Sequence, residues 1–285
     1  MRKCVALIIS LSMAALAQTS MAADVEQTEE ISKVLRFGDV GGERLVVVDN
    51  LFGAITVSGY DGDEVRAEIR KTVVARSERK AAEARENVQL EITEDDNRIE
   101  LYVDGPFRER RGHGFEWRGF RHEGYRVRYD FDLKVPKNCA VELITVDDGD
   151  ISVESIDGDF DVNNVNGGIG MKGMRGSGRV YAVNGKMTVE FIRNPEGDCS
   201  FSTINGDVYL YFKPDLSADF YMKTMNGKAF TDFEVSPLPV KTTSSNSENG
   251  KKVYRLAHLT GVRAGKGGPE IELHTLNGDM FILRK

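Results

Sequence analysis

Apolar residues recur in a fixed relation to glycine along most of the chain. Gly149, Gly158, Gly167, Gly176 and Gly185 fall nine apart, Gly206 and Gly227 follow at steps of 21, and the same local text surrounds Gly53 and Gly278. Residues two before, two after and four after these nine glycines are apolar at 24 of 27 positions, where a 40% apolar chain would supply about 11. The failures are Asp147, Gly178 and Thr231. The preceding residue is Asn or Asp at seven of the nine, as in Asn166, Asn184, Asn205, Asn226 and Asn277. Asn-Gly and Asp-Gly tolerate positive φ and mark sharp turns, and the alternation that follows each marks a short half-buried strand.

Turn-plus-strand units cannot bury an apolar face alone and must stack. In a hairpin meander, the residue two before the glycine would pair with the polar residue one after it, such as Asp150 or Lys186. In a solenoid the turn is a corner, all three apolar positions point inward and the polar corner residue faces water. The pattern therefore predicts an all-β chain, a β-helix-like solenoid of 18-residue coils; an antiparallel meander or sandwich is the alternative. The steps of 21 read as one coil with a small insertion.

Ahead of this array, strands are expected at Arg44 to Val48, Ala54 to Val57, Val65 to Val73, Val88 to Ile92, Ile99 to Val103 and Tyr125 to Val135. Ser77 to Asn87 lacks Gly, Pro and β-branched residues and predicts a helix capped by Ser77. The expected domains are a signal peptide at 1–22, a flexible segment at 23–40, a β cap with a short helix at 41–136 and the solenoid at 137–285. A mobile insertion is expected near 236–252, where S-P-L-P and T-T-S-S-N-S-E-N-G-K lie.

The segment V-D-N-L-F-G-A-I-T-V-S-G-Y-D-G-D-E-V at 48–65, L-K-V-P at 133–136, the V-N-G and I-N-G turns and the ending G-G-P-E-I-E-L-H-T-L-N-G-D-M-F-I at 267–282 carry a likeness. Over residues 40–285 the chain resembles the exported β-strand-repeat domains of unknown function grouped as putative adhesins. The resemblance implies a β-helix-like exported domain without established catalytic residues.

Charge and cysteine refine the picture. Arg2 and Lys3 precede the apolar run Val5 to Ala17 and Ser20-Met21-Ala22, the pattern of a cleaved secretory signal. The run is too short to cross a bilayer. Without residues 1–22 the net charge moves from −7 to −9 as Arg2 and Lys3 leave, which disfavours nucleic acid as a partner. Cys139 and Cys199 would lie about three coils, or about 14 Å, apart at the usual strand spacing, beyond disulfide reach, so free thiols are expected.

Two segments could carry chemistry. Gly105 to Arg128 holds seven arginines against three glutamates and the only tryptophan. Arg108, Arg110, Arg111, Trp117, Arg118, Phe120 and Arg121 are its candidate binding residues, because guanidinium forks grip phosphate or carboxylate and aromatic faces stack on sugars. The competing reading pairs these arginines with the protein's own acidic corners. Asn138 to Met171 holds eight acids and no Lys or Arg; Asp148, Asp150, Asp157, Asp159 and Asp161 could offer oxygens to calcium, but solvated corners are the simpler account, and no metal or cofactor is assigned. His113, His122, His258 and His274 form no metal spacing, and G-x-S-x-G is absent.

The sequence thus points to a non-catalytic, exported structural or adhesin-like module of a bacterial envelope, in the periplasm foremost, with the cell surface or medium open. Its partner would be an envelope protein or an anionic glycan or lipid. The alternative is a carbohydrate-active β-helix enzyme.

Overall fold

The computed structural model describes residues 24–38, 41–106, 108, 124–239, 242–246, 252–256 and 260–285. Among the described residues it is all-β, with one helix and two large mixed sheets. The expected signal peptide and most of the Arg/aromatic segment lie outside the described residues.

The repeats give strands that go alternately to the two sheets. The eleven-stranded sheet B receives β8 (Ala140–Thr145), β10 (Phe160–Asn166), β12 (Gly178–Asn184) and β14 (Cys199–Asn205). The ten-stranded sheet A receives β9 (Ile151–Glu154), β11 (Ile169–Met174), β13 (Met187–Phe191) and β15 (Val208–Phe212). Each strand pairs in parallel with its repeat neighbour, as in Val162↔Val180 and Ile169↔Met187, so strands joined by an Asn-Gly turn lie in different sheets and form no hairpin. The expected insertion falls between β13 and β14, where Ile192–Asp198 replaces the three-residue link Arg175–Ser177 between β11 and β12. Inward residues of both sheets form one continuous core.

The same pairing extends into the amino-terminal region. β2 (Leu45–Asp49) lies between β8 and β6 (Arg98–Asp104) in sheet B, while β3 (Ile55–Tyr60) lies between β9 and β7 (Tyr125–Pro136) in sheet A. Both sheets therefore run unbroken across the expected boundary at 136/137. Antiparallel strands finish this end: β4 (Glu64–Ala75) and β1 (Val25–Arg36) beyond β7, and β5 (Gln89–Glu94) beyond β6. Residues 25–36, expected to be flexible, are thus a twelve-residue edge strand. The helix α1 (Glu78–Asn87) forms as expected, with the Ser77 hydroxyl accepting from Lys80 N at 3.3 Å and Ala81 and Ala84 buried.

The carboxyl-terminal region departs from sequential stacking. β16 (Ala218–Asn226) and β17 (Ala229–Thr231) follow β15 in the chain, but β22 (Glu270–Asn277) and β23 (Met280–Arg284) lie between them and β14–β15. Gly278 therefore stacks on Gly206 and Gly227 on Gly278. The intervening chain adds β21 (Thr260–Ala264) and β18 (Val235–Pro237) to the edge of sheet B, and pairs β19 (Thr242–Asn246) with β20 (Lys252–Leu256) in a two-stranded sheet where a mobile insertion was expected.

Close approach explains the repeat glycines better than turn conformation does. Of the nine, only Gly53, Gly206 and Gly278 have positive φ. A Cβ on Gly167 would lie 2.2 Å from Gly149 O, and one on Gly185 2.0 Å from Gly167 O, because successive corners touch through backbone. The asparagines beside them form a ladder: Asn184 Nδ2 donates to Asn166 Oδ1 (2.8 Å), Asn205 to Asn184 (2.8 Å), Asn277 to Asn205 (2.7 Å) and Asn226 to Asn277 (2.7 Å).

Leu51, Ile156 and Met174, two before Gly53, Gly158 and Gly176, are buried as expected, but at the Asn-Gly corners the expectation is reversed. Thr145, Asn164, Ala182, Thr203 and Thr275, not the apolar residues two before the glycines, are the buried corner residues of their strands. Three of them serve carbonyls of the turns: Thr145 Oγ1 donates to Gly53 O (2.9 Å), Asn164 Nδ2 to Gly149 O (3.1 Å) and Gly168 O (3.2 Å), and Thr275 Oγ1 to Gly206 O (3.5 Å). Val165, Val183 and Ile204 are half-buried, and Leu276 and Met225 are exposed, so this apolar column lies on the outside of the corner.

Cys139 and Cys199 are buried and unbridged, three ladder steps apart, and burial pushes both thiols up to about 11.

Candidate functional site

The Arg/aromatic segment joins β6 to β7, where Gly167-Gly168 joins β10 to β11 and Gly185-Lys186 joins β12 to β13. Arg110, Arg111, Trp117, Arg118, Phe120 and Arg121 lie outside the described residues. Of the candidate binding residues Arg108 alone is described, and it is engaged internally: its Nη1 meets Asp49 Oδ2 at 2.7 Å and its guanidinium lies 4.7 Å from the Tyr102 ring centroid. Arg126 pairs with Asp148 (3.4 Å) and Asp147 (3.8 Å), and Arg128 with Asp130 (2.8 Å). These three arginines follow the internal-pairing reading.

Asp49 and Arg108 are largely covered at this end of sheet B. Burial pushes the Asp49 carboxyl above its ordinary value of 3.8, and the hydrogen bond and charge of Arg108 offset only part of that rise. A folded-state pKa above the unfolded one means that the folded protein holds this proton more tightly. The stability contributed by the group is full below pH 3.8 and is lost as pH rises through the Asp49 titration. Asp49→Asn removes that contribution. In denaturant melts across the acid range, the native protein is therefore expected to lose stability relative to the variant as pH rises; the opposite slope would refute the assignment.

The corner acids are used within the ladders. Asp157 pairs with Arg175 (2.8 Å) and Asp161 with Arg179 (2.6 Å), each from the repeat 18 residues on. Asp150 Oδ1 accepts from Gly168 N (2.6 Å) and Asp159 Oδ1 from Ser177 N (3.0 Å). Among the described residues no group of three or more His, Cys, Asp or Glu is placed to hold a metal ion.

The exposed face of sheet B carries a feature the sequence reading missed. Parallel register aligns Tyr102, Asp49, Ile144, Asn163, Tyr181, Ser202, His274 and Lys223 in one row across neighbouring strands. In β14 the alternation Ser200-Phe201-Ser202 buries the phenylalanine and leaves two small side chains outward beside Tyr181, which is 40% exposed. A half-open groove of about 740 Å³ results, lined by Ile144, Val146, Val165 and Tyr181 with Asn163, Ser200, Ser202 and the Asp161–Arg179 pair. It offers apolar surface with amide, hydroxyl and charged groups at its margins. The small-large alternation of S-F-S beside Y-A-V was the available signal. A second concavity, about 440 Å³, lies where the Arg/aromatic segment returns to β7 and is lined by Leu51, Phe52, Val103, Tyr125 and Val127 among others.

No protein-family model and no curated protein matches the chain. Among solved structures it is similar to a putative cell adhesion protein from Clostridium sporogenes, at 12% identity over 91% of this chain and 100% of that one, with a TM-score of 0.37. A putative adhesin from Bacteroides fragilis matches at 10% identity over 90% and 97%, with a TM-score of 0.35. A putative lipid binding protein from Parabacteroides distasonis matches at 9% identity over 91% and 96%, with a TM-score of 0.32. No helix among the described residues is long and apolar enough to cross a membrane.

Proposed function

We propose that the chain is an exported, non-catalytic β-solenoid acting as an adhesin-like interaction module of a bacterial cell envelope, in the periplasm or at the surface, with residues 1–22 as its signal peptide. Eight two-strand coils, each with one strand in either sheet and paired in parallel with the next coil, stack over one core and support the solenoid reading. The observation that carries the function is the sheet B groove. Tyr181, Ile144 and Val165 present apolar faces to a ligand, and Asn163, Ser200 and Ser202 present donors and acceptors. This is the chemistry that holds an extended glycan: ring faces against aromatic and aliphatic surface, hydroxyls against amides and hydroxyls. Arg110, Arg111, Trp117, Arg118, Phe120 and Arg121 follow Arg108 in the chain, and we propose that they add contacts to an anionic part of the ligand.

Binding of the purified chain to envelope polysaccharide, measured by affinity electrophoresis, tests this. Tyr181→Ala with Val165→Asp is expected to weaken binding about tenfold or more, with circular dichroism unchanged. Replacing Arg110, Arg111, Trp117 and Arg118 by alanine is expected to weaken it further and to reduce its salt dependence. Unchanged binding by the groove variant would remove the groove from the proposal; unchanged binding by the loop variant would remove the loop.

A further inference from the structure

Sheet A ends at β17, which pairs with β23 on one side and, among the described residues, has no strand on the other. Sheet B at the same end is closed by antiparallel β21 and β18, and the opposite end of sheet A by antiparallel β4 and β1. Residues 225–232 are all exposed, including Met225 at 72% and Phe230 at 44%. An unprotected edge of a sheet is a template for another strand.

The edge has a definite hydrogen-bonding parity. Lys228 O accepts from Met280 N (2.8 Å) and Asp232 N donates to Ile282 O (3.4 Å), so the backbone groups of the even-numbered residues face β23. Those of Ala229 and Thr231 therefore face outward. The segment Lys228-Ala229-Phe230-Thr231-Asp232 is also self-complementary when read antiparallel. With Phe230 opposite its own copy, Ala229 and Thr231 exchange both of their hydrogen bonds with Thr231 and Ala229 of the second chain, and each Lys228 stands opposite an Asp232. The Phe230 ring is the last of a stack, 5.1 Å from Phe281, which is in turn 4.5 Å from Tyr209. A two-fold axis through Phe230 would set two such stacks end to end.

We propose that two copies of this chain associate through antiparallel pairing of their β17 edges, joining two ten-stranded sheets into one. The interface is isologous, so it closes at two copies. Sedimentation velocity across a concentration series is expected to show a monomer–dimer equilibrium. Two variants should shift it to monomer, each raising the dimer Kd about tenfold or more. Phe230→Lys places like charges on the two-fold axis, and Ala229→Pro removes an outward N–H that β23 does not use. Circular dichroism and melting should match the native protein. Phe230→Cys supplies an independent reading: mild oxidation is expected to give a covalent dimer, because the facing Cα atoms of a non-hydrogen-bonded pair lie within disulfide reach, whereas Lys228→Cys gives none. A native protein that stays monomeric at all concentrations, a dimer indifferent to both edge variants, or failure of Phe230→Cys to cross-link would each overturn the proposal.

Discussion

Gly185→Ala is expected to lower the unfolding free energy by about 3 kcal/mol or more, although it adds a single methyl group at a half-buried corner. The methyl carbon would lie 2.0 Å from Gly167 O and 2.6 Å from its carbonyl carbon. Both are backbone atoms of the adjoining corner, so no side chain can swing aside. Relief requires the ladders to part, which strains the Asn166–Asn184–Asn205 bonds and the parallel pairing on either side. Its φ lies outside the left-handed region, so the penalty is one of contact alone. Gly170, on an exposed strand position with nothing within 4 Å of its added Cβ, is the matched control. Gly170→Ala is expected to be neutral or to stabilise by roughly 0.5 kcal/mol. Urea unfolding of both variants decides the matter, and equal losses would show that the glycine column does not depend on close approach.

Phe191→Ala is expected to cost about 3–5 kcal/mol. Phe191 ends β13, is fully buried, and lies 5.1 Å from Phe212 in a stacked pair and 6.4 Å from both Phe160 and Phe201. Phe212 in turn meets Phe220 at 5.9 Å. These rings come from both sheets and fill the interior beside the longer links that follow β13 and β15. Removing the central ring leaves a cavity that its three packed ring partners cannot collapse around. Phe191→Leu should recover part of the loss, and thermal melting by calorimetry provides the measurement. A loss below 1 kcal/mol would mean that the cluster is loosely packed.

The repeat was legible because its cause is local. Where backbones touch, glycine is required, so the touching points are printed in the sequence at the repeat spacing. The direction of the side chains at the Asn-Gly corners was misread because the apolar residue two before the glycine was assigned to the core. Asn164 and Thr275 face inward and use their polar atoms on glycine carbonyls, whereas Leu276 and Met225 face out. A Thr or Asn three residues before the glycine, repeated in N-N-V-N-G, S-T-I-N-G, K-T-M-N-G and H-T-L-N-G, was the missed signal. β1 was invisible because most of its side chains are exposed, so its twelve residues carry no apolar alternation. The Tyr181 groove depends on which strands become neighbours and on which outward side chains are small, and neither is expressed by the apolar pattern.

The order of the last strand pairs was hidden for a different reason. Corners reading I-N-G, M-N-G and L-N-G offer each other the same asparagine amides and bare glycine carbonyls, so their stacking order is degenerate in local chemistry. The chosen order links Asn205 to Asn277 across 72 residues, where the preceding rung links Asn184 to Asn205 across 21. The added loop-closure cost is only about 1 kcal/mol, easily met by burying Ile271, Leu273, Met280 and Ile282.

That placement makes β22 and β23, the last of the described strands in chain order, internal components of their sheets. A polypeptide delivered amino terminus first can lay down β8 to β15 in sequence, each strand finding a partner already in place. β16 and β17 cannot join in turn, because the slot beside β14 and β15 belongs to residues not yet delivered. Assembly of this end waits for residues 270–284, which close the stack like a keystone set after the stones on both sides. A chain cut short before residue 270 lacks β22 between β16 and β14 and β23 between β15 and β17, which leaves a gap in each sheet.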